Sequence, residues 1–188
     1  GYEGNHQQVA ERALAAAQTM FWGGEAIPCY SPSFGPDLYA VWLGCDLKFG
    51  EASTATSWAV PSVEDWETAG AIELDPANAW WQQTLAFCRV LADTFDGHLL
   101  VAHMDQHSNM DTLLAMRGGV GLCTDLMDVP ELIDRAMAQV QSTYAPIDMA
   151  LREAGRMVGA CGRIPAYHPD RTNTIQCDFA ALIGPEHF

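Results

Sequence analysis

The sequence predicts an α/β fold built on a parallel sheet or a barrel. Apolar segments of strand length alternate with segments of helical periodicity, which is the order found when helices connect parallel strands. The strand-like segments are short apolar runs, as expected for strands that helices cover on both faces. Hydrophobic residues make up 49% of the chain and charged residues 18%, so the chain can form a packed core. No internal repeat or linker stands out, which predicts one domain over residues 1–188.

The N-terminal part predicts a helix, a strand and a second helix. The segment HQQVAERALAAAQTMFW has apolar residues near helical spacing and stops at a Gly-Gly pair. EAIPCY has the length and composition of a short strand. After a loop rich in turn residues, Leu38 and Trp42 lie on one face of a second helix, which Gly44 ends.

The middle of the chain predicts two extended pieces, a long helix and a buried strand. DLKFG and TSWAV favour short strands, and the second alternates polar and apolar residues. PANAWWQQTLAFCRVLADTF predicts a helix with a proline in its first turn and an Asp-Gly stop. HLLVAHM is an apolar run of strand length.

The C-terminal part continues the alternation. A short helical piece covers Asp111 to Met116, and a long helix starts near Val129. Pro146 should kink that helix and Gly155 should end it. RMVGACG and TIQCDF then predict two further strands, and GPEHF predicts the start of another helix.

The charge and cysteine content restrict the partners and the compartment. Asp and Glu number 24 against 9 Lys and Arg, a formal net charge of −15, which excludes nucleic acid and anionic membrane surfaces as natural partners. No apolar run reaches membrane-spanning length. The six cysteines never form a CxxC pair, which indicates reduced, packed thiols and a cytoplasmic location.

Three stretches resemble the uroporphyrinogen decarboxylase superfamily: FGPDLYAVWLGCDLKFGE, MDTLLAMRGGVGLCTDLMDVPELIDRAM and TIQCDFAALIGPEHF. The second is similar to the family in its Thr112-Leu113 helix start, its Gly118-Gly119 turn and its acidic DVPE entry to a long helix. The third is similar in the acidic residue Asp178 at a strand end and in a Pro-x-x-Phe helix start. The resemblance implies part of a (β/α)₈ TIM-type barrel with parallel strands, incomplete at the C-terminus.

The resemblance also implies a choice of chemistries. The superfamily includes methyltransferases that use zinc and a decarboxylase that needs no cofactor. A net charge of −15 disfavours binding of a polycarboxylate tetrapyrrole, because the protein repels the carboxylates of the substrate. We therefore expect a methyltransferase-type enzyme acting on a small methylated or corrinoid-linked substrate. The sequence leaves the cofactor unknown, since the resemblance implies zinc for a methyltransferase and none for a decarboxylase. The expected partner is a small-molecule substrate, with a corrinoid protein as a further candidate. The alternatives are a tetrapyrrole decarboxylase without cofactor and a non-catalytic binding fragment.

An incomplete barrel would expose apolar strand edges. We therefore expect either a homo-oligomer or association with the remaining half of the barrel.

The stretch VAHMDQHSNMD holds the main candidate residues. In a barrel of this kind, function lies at the C-terminal ends of the strands, and this stretch follows HLLVAHM. His103, Asp105 and His107 are spaced H-x-D-x-H, which suits a divalent metal, a substrate-facing polar mouth or a solvated loop.

The other candidates lie outside this spacing and are interpreted one by one. Asp111 is interpreted either as the N-cap of the following helix or as a substrate contact. Asp178 at a strand end could be a general acid, a general base or a substrate anchor, or it could pair with a nearby arginine. Tyr30 closes the first strand, and His168 lies either at the same mouth or on a surface loop.

The family's catalytic aspartate aligns around Gly35 to Asp37, and a small shift in the alignment places it on Asp37. The predicted catalytic residues are Asp178, His107 and Asp37, and the predicted substrate-binding residues are His103, Asp105, Asp111, Tyr30 and His168.

Overall fold

The computed structural model describes residues 4–24, 26–50, 56–157 and 176–185. These residues form helices and strands in the following order: α1 (His6–Thr19), β1 (Cys29–Tyr30), α2 (Leu38–Trp42), β2 (Asp46–Phe49), β3 (Ser57–Val60), α3 (Ala79–Phe95), β4 (Leu100–Val101), α4 (Met110–Arg117), α5 (Gly119–Asp128), α6 (Pro130–Gly155) and a 3₁₀ helix (Asp178–Leu182).

The described residues group into two compact units. Unit 1 draws on Gly1–Phe34, Ala79–Asp105 and Pro146–Thr174, and unit 2 draws on Gly35–Asn78, Gln106–Ala145 and Ile175–Phe188. The prediction of one domain over residues 1–188 stays a prediction.

In unit 1, β1 and β4 pair in parallel, with Cys29 opposite Leu100 and Tyr30 opposite Val101. Helix α1 packs on α3, and α3 packs on β4. The Phe87 ring is buried. Its centroid lies 5.5 Å from that of the Phe34 ring and 4.9 Å from that of the His6 ring, and both pairs of rings are tilted. The unit therefore has an aromatic core beside its strand pair.

In unit 2, β2 and β3 pair antiparallel, with Asp46 opposite Val60 and Phe49 opposite Ser57. All five residues of α2 are buried, because this short helix packs against β2, β3 and α4. The Asp37 carboxylate before α2 accepts the backbone N–H of Ala59 at 3.0 Å, which fixes the start of α2 on β3.

The loop between β3 and α3 is anchored on α5 and α6 by side chains. Trp66 is buried and its indole N–H donates to Asp125 at 2.8 Å. Arg117 donates to the same carboxylate at 2.6 Å, and this hydrogen bond holds the pKa of Asp125 below its ordinary value. The backbone N–H of Ile72 donates to Gln139 at 2.7 Å.

The architecture confirms a mixed α/β chain with a small parallel sheet. Among residues 4–24, 26–50, 56–157 and 176–185, each sheet has two strands and no closed barrel is formed. At their described residues, EAIPCY and HLLVAHM form strands only at Cys29–Tyr30 and Leu100–Val101. The predicted strand TIQCDF is wrong at its described residues, because Asp178 and Phe179 begin a 3₁₀ helix.

Some predicted features lie outside the described residues. They are most of the strand RMVGACG, the residue His168 and the end of GPEHF. No described helix has both the length and the apolar character that crossing a membrane requires.

Candidate functional site

The loop between β4 and α4 ends in a helix cap that the sequence does not place correctly. Asn109 is the N-cap of α4, and its side chain accepts the backbone N–H of Asp111 at 2.9 Å. The interpretation of Asp111 as the N-cap is therefore wrong. Asp111 lies in the first turn of α4, and its carboxylate is used for other contacts.

One of these contacts joins Asp111 to His107. His107 Nδ1 lies 2.7 Å from Asp111 Oδ2, and each side chain is only 8% exposed. The Thr112 hydroxyl donates to the His107 carbonyl oxygen. The imidazole and the carboxylate are therefore fixed relative to each other in a buried position.

The other contacts join Asp111 to the segment around Asp178. The backbone N–H of Asp178 donates to Asp111 Oδ2 at 3.0 Å, and that of Phe179 donates to Oδ1 at 2.7 Å. Asn109 donates to the Gln176 carbonyl oxygen. The two bonds to Asp111 supply acceptors for the first N–H groups of the 3₁₀ helix, which explains why this segment is helical and not a strand.

The result is a cluster of three residues with metal-ligand chemistry. His107, Asp111 and Asp178 each offer a ligand atom, and these atoms lie within 4.8 Å of one another. We call these three residues the His107 cluster. His107 and Asp111 are buried and Asp178 is exposed, so Asp178 is the member that solvent or a ligand reaches most easily.

Two neighbours border the His107 cluster. The Gln176 amide nitrogen lies 3.4 Å from His107 Nε2. The Cys177 thiol lies 3.9 Å from Asp111 Oδ1. Burial raises the pKa of Cys177, and the negative charge of Asp111 raises it further, so this side chain is a neutral thiol near pH 7.

His103 belongs to a different network, in unit 1. His103 Nε2 lies 2.7 Å from Asp148 Oδ1, and Asp148 Oδ2 accepts from Arg152 at 2.8 Å. The Nδ1 atom of His103 lies 3.0 Å from the Met104 carbonyl oxygen. Burial raises the pKa of Asp148, but hydrogen bonds from His103 and Arg152 and their charges outweigh it, so the net pKa is below its ordinary value.

The remaining predicted residues are placed as follows. Among the described residues, the metal-capable group includes His107 but neither His103 nor Asp105. Asp37 binds the backbone of β3 and is not in that group either. The Tyr30 ring contacts Phe95 edge to face at a centroid distance of 6.0 Å, and burial raises the pKa of its phenol.

Sequence reasoning missed Asn109, Gln176 and Asp148. The pattern Ser-Asn before an Asp-Thr helix start could have identified Asn109 as a cap. The i,i+4 spacing of Asp148 and Arg152 on a predicted helix could have identified that pair. Nothing in the sequence indicates that Gln176 lies beside His107, because the two residues are far apart along the chain.

Comparisons with family models, with curated proteins and with solved structures found no match for this chain. The resemblance to the uroporphyrinogen decarboxylase superfamily therefore stays a hypothesis carried by the three stretches quoted above.

Proposed function

We propose that this chain is a small-molecule enzyme whose reaction centre is the His107 cluster, and that its chemistry is of the methyltransferase type. The observation that carries the proposal is the convergence of one imidazole and two carboxylates within 4.8 Å. Two of these three side chains are buried and hydrogen-bonded to each other.

The donor set of the His107 cluster fits a divalent cation such as zinc, since imidazole and carboxylate are both ordinary zinc ligands. The three members of the His107 cluster would hold the ion. When bound, zinc would supply Lewis acidity and lower the pKa of a thiol that accepts the methyl group. The set differs from the family's ligands, which are a His-x-Cys pair and a later Cys.

The experiment measures metal content and methyl transfer together. The purified protein is dialysed against zinc and then buffer, and retained zinc is measured by atomic emission. Demethylation of methylcobalamin by a small thiol is followed by absorbance. We expect retained zinc and thiol-dependent demethylation in the wild type and in His98→Ala, whose histidine is exposed, and loss of both in His107→Ala.

A protein that retains no zinc and leaves methylcobalamin unchanged would exclude the methyltransferase proposal.

A second candidate is metal-free decarboxylation of a tetrapyrrole. The observation that favours it is the buried His107–Asp111 pair, because a carboxylate-oriented imidazole can move protons without a metal. Release of CO₂ from uroporphyrinogen, unchanged by a chelator, would support this candidate. If the chain carries out neither reaction, the non-catalytic binding fragment is the hypothesis that remains.

A further inference from the structure

We infer that Asn109, which is not a member of the His107 cluster, is a positioning residue of the candidate site. Its side-chain amide holds the segment that carries Asp178 against the start of α4. This inference rests on the proposed metal site, and it explains how a site made from two distant parts of the chain is held together.

The His107 cluster joins two parts of the chain. His107 precedes α4 and Asp111 lies in the first turn of that helix, whereas Asp178 follows Asp111 by 67 residues and begins the 3₁₀ helix. The side chain of Asp178 is exposed, and those of the other two members are buried. The position of the Asp178 carboxylate relative to them therefore depends on the main chain that carries it.

Hydrogen bonds on both sides of the Asp178 side chain hold that main chain. The backbone N–H groups of Asp178 and Phe179 donate to the Asp111 carboxylate at 3.0 and 2.7 Å. Two residues before Asp178, the Gln176 carbonyl oxygen accepts from the Asn109 side chain. Because Asn109 is outside the cluster, it can be replaced without removing a group that could bind the metal.

The Asn109 amide has one orientation, because both of its polar atoms are used. Oδ1 accepts the backbone N–H of Asp111 at 2.9 Å, and Nδ2 donates to the Gln176 carbonyl oxygen. A backbone N–H can only donate and a carbonyl oxygen can only accept, so an amide turned by half a rotation would satisfy neither partner. One side chain therefore caps α4 and binds the segment of Asp178 at the same time.

The two tasks of Asn109 can be separated by substitution. Serine caps a helix about as well as asparagine, but its hydroxyl lies closer to the main chain and cannot span the cap and the Gln176 carbonyl oxygen together. Asn109→Ser therefore keeps the cap and the neutral charge, and it removes the bond to Gln176. Asn109→Ala removes both the cap and that bond.

The first test compares the zinc affinities of the full chain and its variants, measured by competition with a chelating dye while circular dichroism confirms that each is folded. We expect Asn109→Ser and Asn109→Ala to bind zinc about 10- to 100-fold more weakly, by a similar factor, although Asn109→Ala should unfold at a lower temperature. The matched control is Asn78→Ser, which removes an amide bond to the Val41 carbonyl oxygen in the same unit and should leave the zinc affinity unchanged.

A double-mutant cycle tests whether Asn109 acts through Asp178. Asp178→Asn should weaken zinc binding in the wild-type chain. In the Asn109→Ser chain the carboxylate is already out of place, so the same change should have little further effect. A helix cap that only stabilises the fold would give two independent effects, and the losses of affinity would then multiply.

Hydrogen exchange gives a readout that needs no metal. Loss of the bond to Gln176 should let the segment open locally more often. The amides of Asp178 and Phe179, which donate to Asp111, should therefore exchange faster in Asn109→Ser than in the wild type or in Asn78→Ser.

The outcomes separate this inference from the proposal on which it rests. Wild-type zinc affinity in Asn109→Ser, losses that multiply in the double variant, or unchanged exchange of the two amides would each overturn the role of Asn109 and leave the metal site standing. A wild-type chain that binds no zinc would remove both the metal site and this inference.

Discussion

Among single residues, the buried hydroxyl pair of Tyr39 and Thr143 gives the clearest stability prediction. The two oxygens lie 2.8 Å apart. The Thr143 hydroxyl donates to the Val140 carbonyl oxygen at 2.7 Å, so Tyr39 is the donor between the two. Tyr39→Phe should lower the free energy of unfolding by about 1 kcal/mol, because one buried hydrogen bond is lost. Chemical denaturation measures this change.

A double-mutant cycle isolates the bond between Tyr39 and Thr143. The variants are Tyr39→Phe, Thr143→Val and the combination of both. We expect the double variant to be less destabilised than the sum of the single variants by about 0.5 kcal/mol or more. Strictly additive effects would contradict a stabilising hydrogen bond between the two hydroxyl groups.

Asp148 gives a prediction about pH. Its pKa in the folded chain is lower than the ordinary value of 3.8, since His103 and Arg152 outweigh the effect of burial. A lowered pKa means that the folded chain favours the carboxylate form. The stabilisation is therefore present above about pH 3.8 and is lost as the pH falls through the folded pKa. Asp148→Asn should be less stable than the wild type at pH 7, and the difference should shrink below pH 3.8.

Acid titration of the folded fraction, followed by circular dichroism, measures this difference. The control is Asp93→Asn, which removes a carboxylate from an exposed ion pair with Arg156. Such pairs contribute about 0–1 kcal/mol, so this variant should follow the wild type at every pH. A difference between Asp148→Asn and wild type that does not change with pH would contradict the prediction.

The chemistry of the candidate site was predictable from the sequence only for some residues. His107 and Asp178 were chosen because they follow predicted strands, and a barrel carries its function at the C-terminal ends of its strands. Both belong to the His107 cluster, although Asp178 begins a 3₁₀ helix and does not end a strand. The partners were not predictable in the same way. Asp111 binds the backbone of Asp178, which is 67 residues away, and a contact over that distance depends on the tertiary structure.

At the scale of elements, the junction between α4 and α5 depends on Gly118. Its φ of +83° and ψ of 151° lie in a region that only glycine adopts readily. Gly118→Ala should lower the free energy of unfolding by about 1–3 kcal/mol through backbone strain alone, because no atom lies within 4 Å of the added methyl group.

The neighbouring glycine is the matched control. An added methyl group at Gly119 would lie 3.5 Å from the Leu114 side chain, an ordinary contact, and the backbone there is not left-handed. Gly119→Ala should be neutral or slightly stabilising, since alanine favours the helix. Thermal unfolding of both variants measures the contrast. Equal destabilisation by the two changes would contradict the role of backbone strain at Gly118.

The helices were more predictable than the strands. Helices α1, α3 and α6 have periodic apolar residues over many turns, and the sequence predicts all three. Helix α5 was missed because its glycines at positions 119 and 121 weaken the helical signal. TIQCDF was predicted as a strand from its composition, but the carboxylate of Asp111 binds the N–H groups that begin a 3₁₀ helix there.

For the whole molecule, the sequence predicted a parallel pairing, and β1 and β4 are parallel. The prediction of a barrel depended on the resemblance. It also assumed strands longer than the two residues found in each of β1 and β4. Apolar runs such as HLLVAHM indicate burial, but they do not determine how many residues pair with a neighbouring strand. Strand length depends on pairing with distant segments, which local pattern does not specify.

The net charge leads to a prediction about salt. With 24 acidic and 9 basic residues, repulsion between carboxylates outweighs ion-pair attraction at pH 7, and this destabilises the folded state. Raising NaCl from about 0.01 M to about 1 M shortens the Debye length from about 30 Å to about 3 Å. Thermal unfolding should show the Tm rising by about 2–4 °C for each 1 kcal/mol of repulsion removed.

Near the sequence pI of about 4.4 the net charge is small, so the rise of Tm with salt should be much smaller at that pH. A Tm that falls with salt at pH 7 would mean that ion pairs such as Arg117–Asp125 dominate the electrostatics of the folded chain.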